Sequence, residues 1–207
     1  MKNFKNIKNI IFDLGGVVLN IDSQLSIDAF ANILGENNVE FVRKYNKFNL
    51  LYRLETGEIT PKQFREALRQ IIPQKISNEQ IDTAWNSMLL DFPKERIDLL
   101  KELKKKYRTF LLSNTNKIHY ISYTQKLNDE FGIKNLSDLF EKEYMSFQLN
   151  MRKPGKEIFY HVLEQNNLLT NETLFIDDTK ENIESAKQIG IDAYLLKDDE
   201  TINDVLK

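Results

Sequence analysis

The chain has 207 residues, 41% of them hydrophobic, which suits one ordinary domain or one domain with a small insertion. Its 29 basic and 31 acidic side chains leave a net charge of −2, so there is no electrostatic basis for binding nucleic acid. The lack of cysteine excludes disulfides and thiolate chemistry. No apolar run is long enough for a membrane span, and the basic N-terminus continues into a strand pattern, so we expect a cytoplasmic protein without a membrane partner. The composition does not indicate an oligomeric state.

Four short apolar runs predict β-strands, and these are Asn9–Phe12 and residues 109–112, 173–176 and 193–196. Nearly continuous apolar runs of this length are typical of strands buried on both faces of a parallel sheet. Helical patterns accompany the later strands, at residues 93–107, 156–166, 180–190 and 198–207. Strands that alternate with helices predict an α/β fold with a doubly wound parallel sheet.

Residues 23–90 interrupt this alternation, because they contain only helical patterns. Thr60-Pro61 is typical of a helix start, and Ser77 followed by Gln80 resembles a capping box. The helical patterns lie at residues 25–35, 39–57, 60–72 and 77–90. We therefore expect an α/β core made of residues 1–22 and 91–207, with residues 23–90 as a separate helical domain.

Polar side chains lie where the predicted strands end. Asp13 follows the first strand, Ser113 the second, and Asp177 with Asp178 the third. Lys153 lies in the segment RKPG, which opens the helix before the third strand. Sites in open α/β sheets lie beyond the carboxyl ends of the strands, so these side chains are expected to converge.

Such a set of side chains suits a phosphoryl group bound together with Mg²⁺. Carboxylates hold this hard cation, which keeps several waters and takes a phosphate oxygen as a ligand. Ser113 can donate to phosphate oxygens, Lys153 offsets their charge, and Asp13 can attack phosphorus to form an acyl phosphate. Each segment alone is also typical of a strand end, turn or helix cap, but the four together in this order are not.

The segments FDLGGV, LSNTN, MRKPGKEIF and LFIDDTKENIESAKQIGI resemble the four ordered motifs of the haloacid dehalogenase superfamily. Residues 23–90 resemble the α-helical cap that this family inserts after its first motif. The resemblance covers nearly the whole chain and implies a Rossmann-like core. Within the superfamily, the motifs are similar to those of bacterial α-D-glucose-1-phosphate phosphatases, although substrate choice lies largely in the cap.

For catalysis, the resemblance implies one role for each matching residue. Asp13 is implied to be the nucleophile and also a ligand of Mg²⁺. Ser113, helped by the adjacent Asn114, is implied to bind the phosphoryl group of the substrate. Lys153 is implied to stabilise the charge shared by the nucleophile and the phosphate.

For the metal, the resemblance implies three ligands and two supporting residues. The ligands are Asp13, the backbone carbonyl of Gly15, and Asp178. Asp177 and Asn182 are implied to support the metal site, Asp177 as a partner behind the ligands or through water.

Gly15 departs from the family pattern, since most phosphatases of the superfamily carry a second aspartate at this position. That aspartate protonates the leaving group and later activates water, and a positioned acid/base is worth ~10²–10⁴-fold in rate. An anomeric phosphate needs this protonation less, which fits the sugar 1-phosphate resemblance. Otherwise Asp22, His119, Glu55 or Glu58 is a candidate proton donor.

Three other side chains are expected to have structural or minor roles. His119 is expected at the surface, and Trp85 is expected in the core of the cap instead of as a platform for a sugar ring. Arg53, with Glu55 in the same cap turn, is a weak candidate for substrate specificity.

The sequence thus predicts a Mg²⁺-dependent phosphatase that acts on a small phosphorylated metabolite, a sugar phosphate being favoured, through an aspartyl phosphate. One alternative is a metal-independent 2-haloacid dehalogenase, which also uses an aspartate nucleophile but has no need of the pair Asp177-Asp178. The other is a degenerate member that binds a ligand without catalysis, which only Gly15 supports.

Overall fold

Five parallel β-strands form one sheet in the computed structural model, which describes residues 4, 6–35, 49–72 and 75–206. In chain order the strands are β1 (Asn9–Phe12), β2 (Arg108–Ser113), β3 (Lys142–Met145), β4 (Thr173–Asp177) and β5 (Asp192–Leu195). Their order in the sheet is β3-β2-β1-β4-β5, with every neighbouring pair parallel. The predicted α/β class with a doubly wound, Rossmann-like sheet is confirmed.

Ten α-helices lie in the described part of the chain. Between β1 and β2 these are α1 (Ser23–Leu34), α2 (Leu50–Glu55), α3 (Pro61–Ile71), α4 (Asn78–Asn86) and α5 (Lys94–Leu103). After β2 they are α6 (Lys117–Phe131), α7 (Ser146–Leu149), α8 (Lys156–Asn166), α9 (Lys180–Gln188) and α10 (Ile202–Leu206). Among the residues described, no helix has the length and apolar character needed to cross a membrane.

The edge strands differ from the prediction. Strand β3 was not predicted, because Lys142 and Glu143 make half of it polar, and only Tyr144 and Met145 are buried. Strand β5 is present, but none of its residues is fully buried, so the expectation of burial on both faces is wrong there. An edge strand has one neighbour and fewer covering helices, and its pattern is correspondingly less apolar.

Helices cover both faces of the sheet, as alternate strand residues show. Ile10 and Phe12 of β1 point to one face, where they share a hydrophobic core with residues of α5, α6 and α10. Ile11 points to the opposite face and packs with residues of α8 and α9. Buried contacts on both faces therefore hold β1 in place at the centre of the sheet.

Helices α1 to α4 build a separate hydrophobic core. Its buried residues include Phe64 and Trp85, whose ring centroids lie 4.9 Å apart, and Ile118 of α6 joins the cluster. The expected position of Trp85 in the core of the cap is confirmed. The domain boundaries after residues 22 and 90 stay a prediction.

Two predicted helix starts in this segment are confirmed. Thr60 caps α3 in a reciprocal capping box with Gln63, and Ser77 caps α4 in the same way with Gln80. The helical pattern expected at residues 39–48 lies outside the described residues, whereas its continuation forms α2.

Candidate active site

Three adjacent strands deliver predicted site residues to one edge of the sheet. Ser113 is the last residue of β2, Asp13 follows β1 directly, and Asp177 is the last residue of β4. Since β1 lies between β2 and β4, the three residues stand side by side at the carboxyl edge. Ser113 and Asp177 thus belong to the strands themselves and not to the following loops.

Lys153 connects the ends of β1 and β4 through its buried ammonium group. The residue is 1% exposed, and its Nζ donates to Asp13 Oδ1 and to Asp177 Oδ2, each over 2.6 Å. A buried ammonium is stable only when paired charges replace its hydration. Burial opposes the charge, but the two carboxylates outweigh that effect and raise the pKa of Lys153.

The side chain of Asn114 fixes the backbone of Lys153. Asn114 Oδ1 accepts from the Lys153 N–H, and Asn114 Nδ2 donates to the Lys153 carbonyl, both over 2.9 Å. This pair of bonds ties the loop after β2 to the loop before α8. The predicted contact of Asn114 with the substrate stays a prediction.

Asp177 is held in a fixed orientation. Its Oδ1 accepts from the backbone N–H of Thr179 over 2.8 Å, and Asn182 Nδ2 lies 3.0 Å from both of its carboxylate oxygens. Together with Lys153, these donors occupy both oxygens. The predicted role of Asp177 and Asn182 behind the metal ligands stays a prediction.

Asp13, Asp177 and Asp178 form an acidic cluster that fits a divalent cation. One carboxylate oxygen from each lies within 4.8 Å of the others. Three carboxylates face one ammonium, so the cluster has an excess of negative charge. Burial, with repulsion from the other two aspartates and against the attraction of Lys153, raises the pKa of Asp13 to about 7. An all-oxygen donor set with uncompensated charge matches the preference of Mg²⁺.

Gly16 makes room for Asp178. Its φ of +75° lies in the left-handed region, and a Cβ there would be 2.0 Å from Asp178 Oδ2. The turn after β1 therefore forms a surface against which the Asp178 carboxylate rests. The sequence analysis assigned a role to the neighbouring Gly15 and none to Gly16. The role of the Gly15 carbonyl as a metal ligand stays a prediction.

Ser146 holds the loop that follows β2. It is fully buried at the start of α7, where its Oγ accepts from the Thr115 N–H over 2.9 Å and donates to the Thr115 carbonyl over 3.0 Å. Sequence reasoning missed Ser146, because it depends on β3, the strand that was not predicted.

His119 lies at the junction of the helical segment and the core, so its expected surface position is wrong. The residue is 7% exposed, and its ring stacks on Trp85 with centroids 5.0 Å apart. Its Nδ1 accepts from Asn116 Nδ2, which leaves Nε2 to donate to the Trp85 carbonyl, both over 3.1 Å. Burial lowers the pKa of His119 to about 4, so the ring is neutral.

A cavity of about 360 Å³ opens beside Ser113 and Gly15. Its wall is mostly apolar and comes from the turn after β1, from α1 and from the end of α4. The apolar side chains are Leu14, Leu19, Ile21, Ile27, Phe30, Leu51, Trp85, Met88 and Leu89. Glu55 is the acidic residue in the lining. The cavity can hold the part of a substrate that extends away from the strand ends.

Comparison with known proteins agrees with this geometry. A family model described as "Haloacid dehalogenase-like hydrolase" matches residues 10–196. The chain belongs to this family. The family resemblance read from the four motifs is thereby confirmed, whereas the finer similarity to α-D-glucose-1-phosphate phosphatases stays a prediction.

This haloacid dehalogenase-like hydrolase is similar to two phosphatases and to one enzyme of known crystal structure. A D-ribitol-5-phosphate phosphatase of Bacteroides thetaiotaomicron is 31% identical over 91% of this chain and 91% of that protein. A sesquiterpene phosphatase of Aspergillus oryzae is 26% identical over 92% of this chain and 90% of its own. A crystal structure of a family enzyme from Bacteroides thetaiotaomicron, in complex with magnesium and inorganic phosphate, has a TM-score of 0.89 and 37% identity, covering 97% of this chain and 100% of that one.

Replacing Gly16 by alanine in this hydrolase is expected to weaken Mg²⁺ binding, because the new Cβ displaces the Asp178 carboxylate. Gly132→Ala is the matched control, since Gly132 has φ +67° and a Cβ there would have no other atom within 4 Å. Both variants should lose ~1–2 kcal/mol of stability from left-handed backbone. Only Gly16→Ala should weaken Mg²⁺ binding in calorimetric titration; equal Mg²⁺ affinities in the two variants would contradict the role given to this turn.

The buried His119 is expected to make the hydrolase less stable in acid. Since the pKa of about 4 in the folded state is below the ordinary 6.5, the unfolded chain binds the proton more readily between these values. The free energy of unfolding is therefore unaffected by protonation of His119 above pH 6.5. Between pH 6.5 and pH 4 it declines because of this residue, by at most about 3 kcal/mol.

Urea unfolding of His119→Gln across this range measures the effect, with His161→Gln, on helix α8, as the control. The His119 variant should show the flatter pH dependence of the free energy of unfolding. If the free energy of unfolding changes with pH equally in the two variants, burial of His119 does not destabilise the protein in acid.

Proposed function

We propose that this hydrolase is a Mg²⁺-dependent phosphatase that acts on a small phosphomonoester through an aspartyl phosphate at Asp13. The observation that carries the proposal is the placement of Lys153 between Asp13 and Asp177, with Asp178 beside them. A nucleophilic carboxylate, a fixed ammonium and an acidic cation site then face the same edge of the sheet. Phosphoryl transfer uses all three.

In this proposal Mg²⁺ is held by Asp13, Asp178 and the carbonyl of Gly15. When bound, the cation supplies positive charge that attracts a phosphate oxygen and offsets the charge of the transition state. The excess negative charge of the acidic cluster supports this assignment. The relative crystallised with magnesium and inorganic phosphate supports it independently.

The chain's own side chains perform the remaining steps. Lys153 orients Asp13 through the 2.6 Å bond to Oδ1, which leaves the other oxygen to attack phosphorus. Ser113 donates to the phosphoryl oxygens as negative charge develops on them. Asp177 holds Lys153 from the opposite side, so the ammonium keeps its position during the reaction.

The acidic cluster favours this reaction over the alternatives. A dehalogenase attacks carbon without a metal and has no use for a second and third carboxylate beside its nucleophile. A degenerate binding protein has no need to retain Asp13, Lys153 and Asp178 together.

For the substrate, we favour a sugar or sugar-alcohol phosphate. The similarity to D-ribitol-5-phosphate phosphatase over nearly the full length of both chains supports this class. A second candidate is a phosphate ester of an apolar alcohol. The mostly apolar lining of the cavity and the similarity to a sesquiterpene phosphatase favour that candidate.

The variant Asp13→Asn is expected to lose phosphate release by several orders of magnitude, since an amide is not a nucleophile toward phosphorus. Phosphate release and trapping of the acyl phosphate with hydroxylamine measure the two effects. Asp98→Asn, on the exposed surface of α5, is the control and should keep wild-type activity. Turnover by Asp13→Asn near the wild-type rate would exclude Asp13 as the nucleophile.

A substrate series separates the two candidate classes. Ribitol 5-phosphate, glucose 1-phosphate and farnesyl phosphate are compared by kcat/KM, each with Mg²⁺ and with EDTA. We expect the polyol or sugar phosphate to be the best substrate and EDTA to abolish its hydrolysis. Preference for farnesyl phosphate would favour the apolar class, and silence on every ester would favour the non-catalytic alternative.

A further inference from the structure

The position that normally carries the family's acid has no acid, and the side chain of Ile21 lies close to it. A Cβ on Gly15 would lie 3.0 Å from Ile21 Cδ1, so even a short side chain requires Ile21 to shift. Alkyl alcohols are poor leaving groups, and their departure from phosphorus is faster when an acid protonates them. A substrate of this kind therefore needs an acid from another part of the chain.

Among the described residues, three titratable side chains line the cavity beside Ser113, namely Glu55, His119 and Tyr123. Both ring nitrogens of His119 are hydrogen-bonded within the wall, and its pKa of about 4 keeps it unprotonated near neutral pH. The hydroxyl of Tyr123 donates to Met145 Sδ over 3.5 Å, and burial raises the pKa of Tyr123 well above its ordinary value. Glu55 is the remaining candidate.

The carboxyl group of Glu55 is buried and has unused hydrogen-bonding capacity. The residue ends helix α2 and is 9% exposed. Arg152 Nη2 lies 3.1 Å from Glu55 Oε2, but the two are not aligned as a hydrogen bond, and no described residue donates one to this oxygen. A buried oxygen without a donor indicates a missing partner, which a bound substrate can supply.

Two contacts fix Glu55 against the core. The turn after α2 packs so closely on α7 that a Cβ at Gly57, where φ is +70°, would lie 2.4 Å from the carbonyl oxygen of Phe147. Arg152 is held from the same helix, with its guanidinium 5.4 Å from the centroid of the Tyr52 ring. Because Arg152 precedes Lys153, the segment that holds the ammonium also positions Glu55.

We propose that Glu55 is the acid that protonates the leaving oxygen, in place of the aspartate that Gly15 lacks. The proposal rests on the proposed phosphatase function. As Asp13 attacks, the bond from phosphorus to the ester oxygen breaks, its electron pair goes to that oxygen, and the Glu55 proton converts the oxygen to an alcohol. Water then attacks the phosphorus of the aspartyl phosphate and gives a proton to the Glu55 carboxylate. The bond from phosphorus to the Asp13 oxygen breaks, its electron pair goes to Asp13, and phosphate, free Asp13 and protonated Glu55 result.

The charges around Glu55 agree with this role. Burial raises the pKa of Glu55, while Arg152 and Lys153 lower it in part. The acid is thus more strongly protonated than an exposed glutamate, and its conjugate base is stabilised by two cations. Across the cavity, the lining from α6 adds His119 and Tyr123, both neutral, and that from α1 adds only uncharged side chains, among them two serines.

Glu55→Gln tests the proposal, because glutamine keeps the shape of the side chain and removes its proton. Activity is measured on 4-nitrophenyl phosphate, whose leaving group needs no acid, and on alkyl phosphates, including ribitol 5-phosphate. We expect kcat/KM, which reports the steps up to formation of the aspartyl phosphate, to fall by about 10²-fold or more on the alkyl esters and by only a few fold on the aryl ester, with loss of the high-pH limb of the alkyl-ester profile. Glu66→Gln, which changes an exposed glutamate paired with Lys62 on α3, is the control and should behave as wild type.

The outcomes separate this proposal from the one on which it rests. Equal losses of kcat/KM on aryl and alkyl esters would show that Glu55 acts through binding or structure, and would overturn its role as the acid. Wild-type activity of Glu55→Gln on alkyl esters, or an unchanged pH profile, would do the same. If wild-type protein releases phosphate from none of the esters, the proposed function fails and this proposal fails with it. Thermal unfolding of both variants shows whether either change merely disrupts the fold.

Discussion

The site depends on one buried interaction, the ammonium of Lys153 between Asp13 and Asp177. Removing any one of the three leaves a buried charge without its partner, which is strongly unfavourable in a protein interior. The interaction joins the ends of two neighbouring strands to a loop that is distant in the sequence, since 140 residues separate Lys153 from Asp13. Asn114 and Asn182 secure this arrangement, one through the Lys153 backbone and the other through the Asp177 carboxylate. The loop that carries Lys153 is thereby fixed against the ends of β1 and β4.

The same segment relates the helical cap to the chemistry. Arg152 faces Glu55 and Tyr52 of α2, while the next residue, Lys153, faces the aspartates. Any shift of α2 relative to the core therefore acts on the residue adjacent to Lys153. On the other side of the cavity, His119 and Trp85 join the cap to α6 by a stacked pair without charge. The contact between Trp85 and His119 is therefore uncharged, whereas the contact between Glu55 and Arg152 is charged.

Gly15 and Gly16 show how two adjacent glycines serve different purposes. Position 16 requires a glycine, because its φ is positive and because the Asp178 carboxylate occupies the space of a Cβ. Gly15 carries no acid where the family pattern has an aspartate, and Ile21 Cδ1 lies close to the place of a Cβ. The proposed compensation places an acid on a cap helix, so that protonation of the leaving group requires the cap to be in place. In enzymes generally, closure of a cap over the active site keeps water away from the reacting groups.

The sequence by itself determined the α/β class and the helical segment after the first strand, and it identified Asp13, Ser113, Lys153 and Asp178 as candidate site residues. Apolar runs and polar residues at strand ends are local signals, which is why a sequence can show them. It did not determine strand β3, whose polar half lies at the sheet edge, and it therefore missed Ser146. Nor did it place His119 correctly, since burial at a junction depends on residues more than thirty positions away. The pairing of Glu55 with Arg152 was likewise decided only by the tertiary structure. Local patterns encode where strands and helices form, whereas contacts between distant segments arise only when packing brings their surfaces together.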